Sequence, residues 1–349
     1  MHWALDPEQL MLQDALADWL QRVADPAVVR GWLDTGDTSA FDSILTGEGW
    51  LALGTSEERG GQGGGLLELA LAAEQFGRFA APDSGWLATV LALPAIDDAT
   101  ATSALEDGTH LAVAVRSDRP VGAGALVESG GTITGTVELV LGGADADRFV
   151  VPAGGHLHLV DASGAEVAPE PLLDRSRSVA TVRFDTSPAT PLEADAAAFL
   201  AATALRSAVL LAADALGAAT RMLELAVAYS KQRTQFGAPI GTFQAVKHAA
   251  ATMLVAEESS RSLAYYAAAS VDAGLEDAPL HAAAAKAQVT RAAAETAEAS
   301  LTLHGAIGYT WEHDLQLFYK RAKLDVALLG APGVWEDRIA DALELVASA

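Results

Sequence analysis

A long alanine-rich run, from about Ala198 to Lys231, limits most strongly what this chain can fold into. Its apolar residues recur at intervals of three and four, which predicts a long buried helix. The pattern breaks at Gly237 and Pro239, because Gly adopts backbone angles that other residues avoid and Pro cannot continue a helix. A second helical pattern begins near Phe243. The break therefore joins two long helices and becomes the first place to look for function.

Three side chains in this break suit an anionic, partly aromatic ligand. Arg233 supplies a fixed positive charge, Gln235 an amide and Phe236 a flat apolar ring. Arg pairs well with a pyrophosphate and a ring can cover a base, so a dinucleotide would fit here. Taken alone, the same residues are equally compatible with a structural role. In that interpretation Arg233 pairs with a surface carboxylate and Phe236 caps a helix.

The periodicity of the whole chain predicts an α+β fold. Helical spacing begins at Asp6-Pro7-Glu8, where Pro and an acid suit a first turn. From about His110 the period changes to two, with short Val- and Thr-rich runs between glycine pairs, which predicts a small antiparallel barrel or sandwich. The last third predicts a four-helix antiparallel bundle. The expected domains are an N-terminal helical domain (1–109), a middle β domain (110–190) and a C-terminal bundle (191–349), with bundle helices near 198–231, 243–273, 279–303 and after 314.

Composition argues against several kinds of partner and site. Lys and Arg number 22 against 46 Asp and Glu, a net charge of −24 with no basic run, so no nucleic acid is expected. The absence of cysteine excludes disulfides and thiol catalysis and fits a reducing cytoplasm. The N-terminus lacks a signal-peptide pattern, and Arg206 and Asp214 interrupt the most apolar helix. We therefore expect a cytoplasmic protein that spans no membrane.

Other candidate motifs are weak. The run GGQGGG at 60–65 lacks the Lys-Ser/Thr of a phosphate-binding loop and follows no buried strand, which favours a flexible turn. His156 and His158 share one strand but have no third ligand nearby in sequence, so we expect surface histidines and no metal site. Neither a Gly-x-Ser-x-Gly elbow nor an HExxH motif occurs, so no motif in the sequence predicts a hydrolase or a metalloprotease.

Two breaks between the C-terminal helices carry specific motifs, RTQFGAPIGTFQ at 233–244 and LHGAIGYTWEHD at 303–314. With the helix–β–helix order, they give a chain that resembles the acyl-CoA dehydrogenase family over essentially its whole length. The segments 49–50, 58–63 and 74–78 take part in the resemblance. The family implies FAD chemistry, in which a glutamate removes the proton next to a thioester carbonyl while hydride leaves the next carbon for the flavin. It also implies that each FAD lies between two subunits.

By this resemblance, the half of the FAD site that holds pyrophosphate and adenosine is largely present. The motif positions that match are Arg233, Gln235, Phe236, Gln244, Gly305 and Gly308. Two departures are Thr302, where the family usually has Gln, and Ala306, which replaces a Gly.

The half that faces the flavin ring is expected to be lost. A Thr-Glu-Pro loop of the family is replaced by the run 116–124, and its Trp-Ile-Thr strand by Leu139–Leu141. The family's two positions for the catalytic glutamate fall at Leu329 and Ser207. Neither side chain can take the substrate proton, so no catalytic residue is assigned to this chain.

The resemblance thus implies a non-catalytic subunit of a heteromeric acyl-CoA dehydrogenase, like the α2β2 enzymes that shorten steroid side chains in actinobacteria. The implied partners are a longer acyl-CoA dehydrogenase subunit, the acyl-CoA substrate of the complex and an electron-transfer flavoprotein or similar acceptor. The FAD would be shared with the neighbouring subunit. Two alternatives stay open. One is an active homo-oligomer with a displaced base such as Glu224, Glu257 or Glu258, and the other is a non-enzymatic acyl-CoA-binding or scaffold protein.

Overall fold

The computed structural model describes residues 5–343, which form two compact units. Unit 1 contains the described residues up to Val29, the segment Ala70–Ala81 and the described residues from Ala208 onward. Unit 2 contains Arg30–Leu69 and Pro82–Ser207. The expected domain boundaries near 109 and 190 mark changes between helix and strand along the sequence, whereas the two units group residues by their contacts. Those boundaries therefore stay predictions.

The helices follow the predicted pattern closely, and the N-terminal one is capped as its sequence indicates. The Asp6 side chain accepts hydrogen bonds from the amides of Glu8 and Gln9, while the Gln9 side chain accepts from the Asp6 amide. The long alanine-rich helix is confirmed as α7. The tail beyond 314 is two helices rather than one, because Gly330 and Pro332 interrupt it. The helices are α1 Pro7–Val23, α2 Pro26–Thr35, α3 Ser39–Gly47, α4 Leu66–Phe79, α5 Ser84–Ala92, α6 Asp98–Asp107, α7 Ala196–Gln232, α8 Gln244–Asp272, α9 Ala278–His304, α10 Leu315–Ala327 and α11 Pro332–Ala342.

Glycines allow two helices of unit 1 to touch through their backbones. A Cβ atom at Gly217 of α7 would lie 1.8 Å from the carbonyl oxygen of Glu74 in α4. A Cβ at Gly77 would lie 2.0 Å from the carbonyl oxygen of Asp214. No larger residue fits at either position. The remaining helices of the unit pack by their alanine-rich faces, so the bundle core is built mainly from small side chains.

The middle part of the chain, within unit 2, is a sandwich of two four-stranded sheets. The sheet orders are β1-β4-β5-β8 and β2-β3-β7-β6, and all pairs are antiparallel except β1 with β4, which run parallel. The two sheets share one apolar core, in which the rings of Phe149 and Phe184 meet edge to face at 5.9 Å. The strands are β1 Leu111–Val113, β2 Val127–Ser129, β3 Thr132–Leu141, β4 Arg148–Ala153, β5 His156–Asp161, β6 Ala165–Glu170, β7 Val179–Pro188 and β8 Thr190–Leu192.

Two minor expectations need correction. The GGQGGG run is a turn but is tied down, since the Gly63 amide donates to the Thr55 carbonyl at 2.7 Å. His158 is buried rather than exposed, because β5 pairs with strands on both sides; His156, at the strand end, is exposed. Among the described residues, no group of three or more His, Asp or Glu side chains could hold a metal ion.

By length and composition, α7 is the single described helix that could cross a membrane. Of its most apolar stretch, 67% is buried inside the protein. That degree of burial is typical of the core helix of a globular protein, so the length of α7 is weak evidence for a membrane span.

Candidate functional site

Arg233, Gln235 and Phe236 lie on a tight hairpin between α7 and α8. The strands of the hairpin are β9 (Thr234–Gln235) and β10 (Ala238–Pro239), which pair antiparallel. Phe236 adopts a left-handed backbone with φ of 53°, which Cβ-bearing residues adopt rarely. That conformation places its ring in solvent, where it is 93% exposed.

The Arg233 guanidinium is uncommitted within the part of the chain that the structure describes. The residue is exposed, and its side chain makes no hydrogen bond or ion pair with any residue between 5 and 343. Within residues 5–343, the structural alternative of pairing with a surface carboxylate therefore finds no partner. An exposed, unpaired guanidinium can form bidentate, charge-assisted hydrogen bonds to an incoming phosphate.

The Phe236 ring, three residues after Arg233, does not cap the helix that follows it. The residue at the N-cap of α8 is Phe243, not Phe236, so the expected capping role for Phe236 is wrong. The two rings meet edge to face with centroids 6.1 Å apart. Gln244, the first residue of α8, is exposed like Gln235. The hairpin thus presents one cation, two amides and an aromatic edge to solvent.

The second glycine turn lies next to the end of α7 within unit 1. The His304 ring stacks on Tyr229 at 4.8 Å between centroids and meets His313 edge-on at 4.7 Å. Gly305 has φ of 62° and open space where a Cβ would be. Gly308 is buried, and a Cβ there would press on Leu301 and His304 at 3.0 Å. The structure therefore brings the second break to Tyr229 near the end of α7, four residues before Arg233.

Large apolar side chains are exposed at both breaks and on α8. Such surface commonly marks a contact with a partner or ligand. The exposed set includes Phe236, Phe243, Leu254, Val255, Ile307, Tyr309 and Trp311.

The later of the two expected base positions is an apolar, tightly held turn. Leu329 is 2% exposed and has φ of 53°. The Trp335 indole donates to the Leu329 carbonyl at 3.1 Å, and the Lys286 ammonium donates to the Gly330 and Asp325 carbonyls at 3.0 and 2.8 Å. Burial lowers the pKa of Lys286 to about 8, and the Asp325 charge opposes that shift. Sequence reasoning missed Lys286, which sits in the middle of an alanine-rich helix with no motif around it.

The other glutamate position and the displaced-base candidates offer no free carboxylate in a buried site. Ser207 is fully buried, and its hydroxyl donates to the Ala204 carbonyl at 3.1 Å. Glu224 pairs with Arg78 at 2.6 Å and with Arg221 at 3.0 Å. Glu258 is exposed on α8.

Glu257 belongs to a buried ionic cluster that sequence reasoning missed. Arg261 bridges Glu257 and Glu74, and the Tyr265 hydroxyl donates to Glu74 at 2.5 Å. Burial raises the pKa of Glu74, and the Arg261 charge opposes the shift. The four-residue spacing of Glu257 and Arg261 was the available signal, while the contact with Glu74 joins distant parts of the sequence.

In unit 2, the loop expected in place of the flavin-ring contacts is closed on itself. Arg116 forms a two-point pair with Asp118, at 3.0 and 2.6 Å, and also pairs with Glu138 on β3. The hydrogen bonds from Arg116 lower the pKa of Asp118 to about 2. The Ser117 amide and hydroxyl both donate to the Leu139 carbonyl, at 3.0 and 2.6 Å. These groups line or flank a cleft of about 570 Å³, and their charges are already paired.

Known proteins match this chain in sequence over nearly its whole length. The family model for the acyl-CoA dehydrogenase N-terminal domain matches residues 6–102, and the model for the C-terminal domain matches residues 199–344. The acyl-CoA dehydrogenase IpdE2 of Mycolicibacterium smegmatis is 33% identical over 94% of this chain and 96% of its own length. The acyl-CoA dehydrogenase FadE34 of Mycobacterium tuberculosis is 34% identical over 95% of this chain but only 47% of its own length.

Solved structures include close matches in fold. A variant of the Tcur3481-Tcur3483 steroid ACAD gives a TM-score of 0.87 at 26% identity, covering 96% of this chain and 97% of that one. The α+β fold class expected from the sequence is confirmed by this likeness and by the observed order of helices, sheets and helices.

Proposed function

This chain belongs to the acyl-CoA dehydrogenase family of oxidoreductases, and on that premise we propose that it is a non-catalytic subunit of a heteromeric, FAD-dependent enzyme. The complex would desaturate an acyl-CoA thioester. This chain would supply the pyrophosphate and adenosine half of a shared FAD site, and a longer family member would supply the base and the half facing the flavin ring.

The single observation that carries the proposal is the turn at Leu329. A catalytic base needs a carboxylate that reaches substrate, and this turn offers a buried aliphatic side chain instead. Lys286 and Trp335 fix its backbone with hydrogen bonds, so the turn is held with the leucine side chain buried. Ser207 supports the same conclusion, because its hydroxyl is buried and bonded to its own helix.

The residues of unit 1 fit the phosphate and adenosine end of FAD. The unpaired Arg233 can bind the pyrophosphate, and the amides of Gln235 and Gln244 can hydrogen-bond polar atoms nearby. The exposed Phe236 ring can cover a flat base, and the open backbone at Gly305 allows close approach, while the buried Gly308 lets the turn pack on Leu301 and His304. When bound, FAD supplies the acceptor for hydride.

Unit 2 supports the other part of the proposal, that the flavin ring is held elsewhere. The Arg116 loop lies where the family resemblance expects ring contacts, and its charged groups satisfy one another. Leu139 contributes a carbonyl that is already accepting from Ser117. The charged side chains of this segment are thus committed to one another.

The relatives are consistent with a divided enzyme. The solved steroid ACAD carries two component names, Tcur3481 and Tcur3483. FadE34 matches this chain along about half of its length, which leaves room for a second module in the same polypeptide. By analogy, the substrate of the complex is proposed to be a steroid side-chain acyl-CoA, and the acceptor an electron-transfer flavoprotein or a similar carrier.

The displaced-base alternative has less support. Glu224 and Glu257 are engaged by arginines, and such pairing disfavours their use as proton acceptors. The scaffold alternative would not require the uncommitted Arg233, although it is compatible with the exposed aromatic side chains.

The deciding experiment is a flavin-to-protein ratio, with mass from light scattering, for the chain expressed alone and together with a longer family member encoded beside it. We expect one FAD per pair of unlike chains on co-expression and little flavin on the lone chain. Addition of an acyl-CoA should bleach the flavin of the complex only.

The other outcomes separate the alternatives. A lone chain that holds one FAD per subunit and is bleached by acyl-CoA would replace the proposal with a homo-oligomeric enzyme. A chain that stays free of flavin in every combination would favour the scaffold.

A further inference from the structure

Unit 2 contains a small pocket with an unusual charge for this protein. It has a volume of about 120 Å³ and lies between the loop at 53–59, the end of α5 and the first part of α7. No acidic residue lines it, although the chain as a whole carries a net charge of −24. The lining residues are Leu53, Gly54, Thr55, Ser56, Arg59, Leu69, Val90, Leu93, Pro94 and Arg206.

Both arginines are anchored to the same short segment of backbone. Nη2 of Arg59 donates to the carbonyls of Leu93 and Ile96, at 3.0 and 2.5 Å. Nη2 of Arg206 lies 3.5 Å from the Val90 carbonyl. These carbonyls hold two guanidinium groups at the lining of one pocket, where an oxyanion could accept hydrogen bonds from both.

Donors are also left over. The Arg59 Nε contacts Asp98 at 2.9 Å from the solvent side, where the Asp98 side chain is 75% exposed, but its Nη1 has no partner among residues 5–343. The hydroxyls of Thr55 and Ser56 likewise form no hydrogen bond with a described residue. Thr55 is only 7% exposed as a residue and lines the pocket.

The wall of the pocket is pre-organised. The Gly54 amide donates to the Gly63 carbonyl at 2.8 Å, and the Gly63 amide donates to the Thr55 carbonyl at 2.7 Å. At Gly61 an added Cβ would lie 2.0 Å from the Thr55 carbonyl oxygen, so only glycine closes this loop. A rigid wall lowers the entropic cost of binding a small ligand.

From these observations we propose that the pocket binds one small oxyanion, a carboxylate or phosphate group, between Arg59 and Arg206, with Thr55 and Ser56 as further donors. The volume admits a single such group rather than a nucleotide. This site is distinct from the Arg233 hairpin, and it does not depend on how FAD is shared.

The test is thermal unfolding of the full chain, or of its complex, titrated with inorganic phosphate or with acetate at constant ionic strength set by chloride. We expect saturable stabilisation by at least one of the two anions. Arg206→Gln and Arg59→Gln should each weaken the apparent affinity by about tenfold, through loss of a charge-assisted bond. Arg175→Gln is the matched control, because Arg175 is an exposed arginine of the same unit paired with Asp34, and its titration should match the wild type.

A second measurement covers the case in which the arginine variants fail to fold. Crystals of the wild-type protein soaked in selenate should show an anomalous peak between the two guanidinium groups, and competition by phosphate or by acetate should identify the preferred anion. Absence of the peak, or stabilisation that is equal in the wild type and both pocket variants, would overturn the proposal.

Discussion

Phe236 and Leu329 have the same unusual backbone conformation in opposite surroundings. Both have φ of 53°, in the left-handed region. The Phe236 ring is 93% exposed on the hairpin between α7 and α8, whereas Leu329 is 2% exposed in the turn between α10 and α11. Backbone hydrogen bonds of a two-residue hairpin hold the first, and the Lys286 ammonium and Trp335 indole hold the second.

The surroundings of a strained residue indicate whether it serves a ligand or the core. A strained residue that exposes an aromatic ring gains little from its own chain, so its role lies in contact with something else. A strained residue that buries an aliphatic side chain contributes to the core. Of the two turns, the hairpin therefore suits the FAD contact proposed above, and the Leu329 turn contributes to the core.

The largest effect is expected from Leu329→Glu, which restores the residue type that the family uses. Burying a carboxylate and losing the leucine contacts should lower the free energy of unfolding by about 4 kcal/mol at neutral pH. Burial raises the pKa of the new carboxyl, so the loss should shrink in acid. Denaturant unfolding at two pH values checks this, with Leu329→Met as the volume-matched control.

The same variant also tests whether the half of the site that faces the flavin ring is lost. We expect no flavin bleaching by acyl-CoA in the lone Leu329→Glu chain, because the Arg116 loop of unit 2 stays closed. Measurable dehydrogenation by that chain would mean that only the base had been lost, and that the ring-facing half is intact.

The next effect concerns the lysine that pins the Leu329 turn. Burial lowers the pKa of Lys286 to about 8, so the folded protein disfavours its charged form. Above pH 10.5 Lys286 is neutral in both the folded and the unfolded chain, so folding carries no cost of burying its charge. As pH falls through 8 the folded protein must bury a charged lysine, and that stability is lost. The stability of the wild type minus that of Lys286→Met should therefore rise between these values, by up to about 3 kcal/mol. A flat difference in urea unfolding across this range would show that Lys286 is hydrated.

Local sequence signals were enough to predict the fold class and the break between α7 and α8, where the exposed hairpin lies. The helix α7, Ala196–Gln232, coincides closely with the run predicted from about Ala198 to Lys231, and the motif at 233–244 identified residues that the structure leaves exposed. Helical period, strand period and turn-forming Gly and Pro are properties of neighbouring residues, so one chain suffices to find them. The division of the tail at Gly330 and Pro332 is also a local signal in the sequence.

Contacts between distant segments could not be found in this way. The Glu74–Arg261 pair and the Arg321–Asp214 pair each join parts of the chain far apart in sequence. Whether a charged residue in a helix faces solvent or a buried partner depends on packing that periodicity does not encode. The same reason explains Arg206, which interrupts an apolar helix in the sequence and lines a pocket in the structure.

A moderate effect is expected from Arg233→Ala in the assembled complex. Losing a charge-assisted bond to pyrophosphate should weaken FAD retention by about 2 kcal/mol, which is about thirtyfold in the dissociation constant. The flavin off-rate after dilution measures it. Arg116→Gln is the control from the closed loop of unit 2, and its off-rate should equal that of the wild type, since Arg116 is committed to Asp118 and Glu138. Equal off-rates for all three proteins would remove Arg233 from the FAD site.

The smallest effect tests the comparison directly, by placing glycine at each strained position. Phe236→Gly relieves the left-handed backbone and sacrifices no buried contact, so the free energy of unfolding of the lone chain should stay level or rise by about 1 kcal/mol. Leu329→Gly gains the same relief but empties part of the core, and it should be destabilising. Chemical denaturation of both variants gives the two values.

In the complex, Phe236→Gly should still release flavin faster than the wild type, because the ring that covers the base is gone. A Phe236→Gly chain that is destabilised as much as Leu329→Gly would show that the hairpin ring serves this chain's own fold, and the distinction between the two turns would fail.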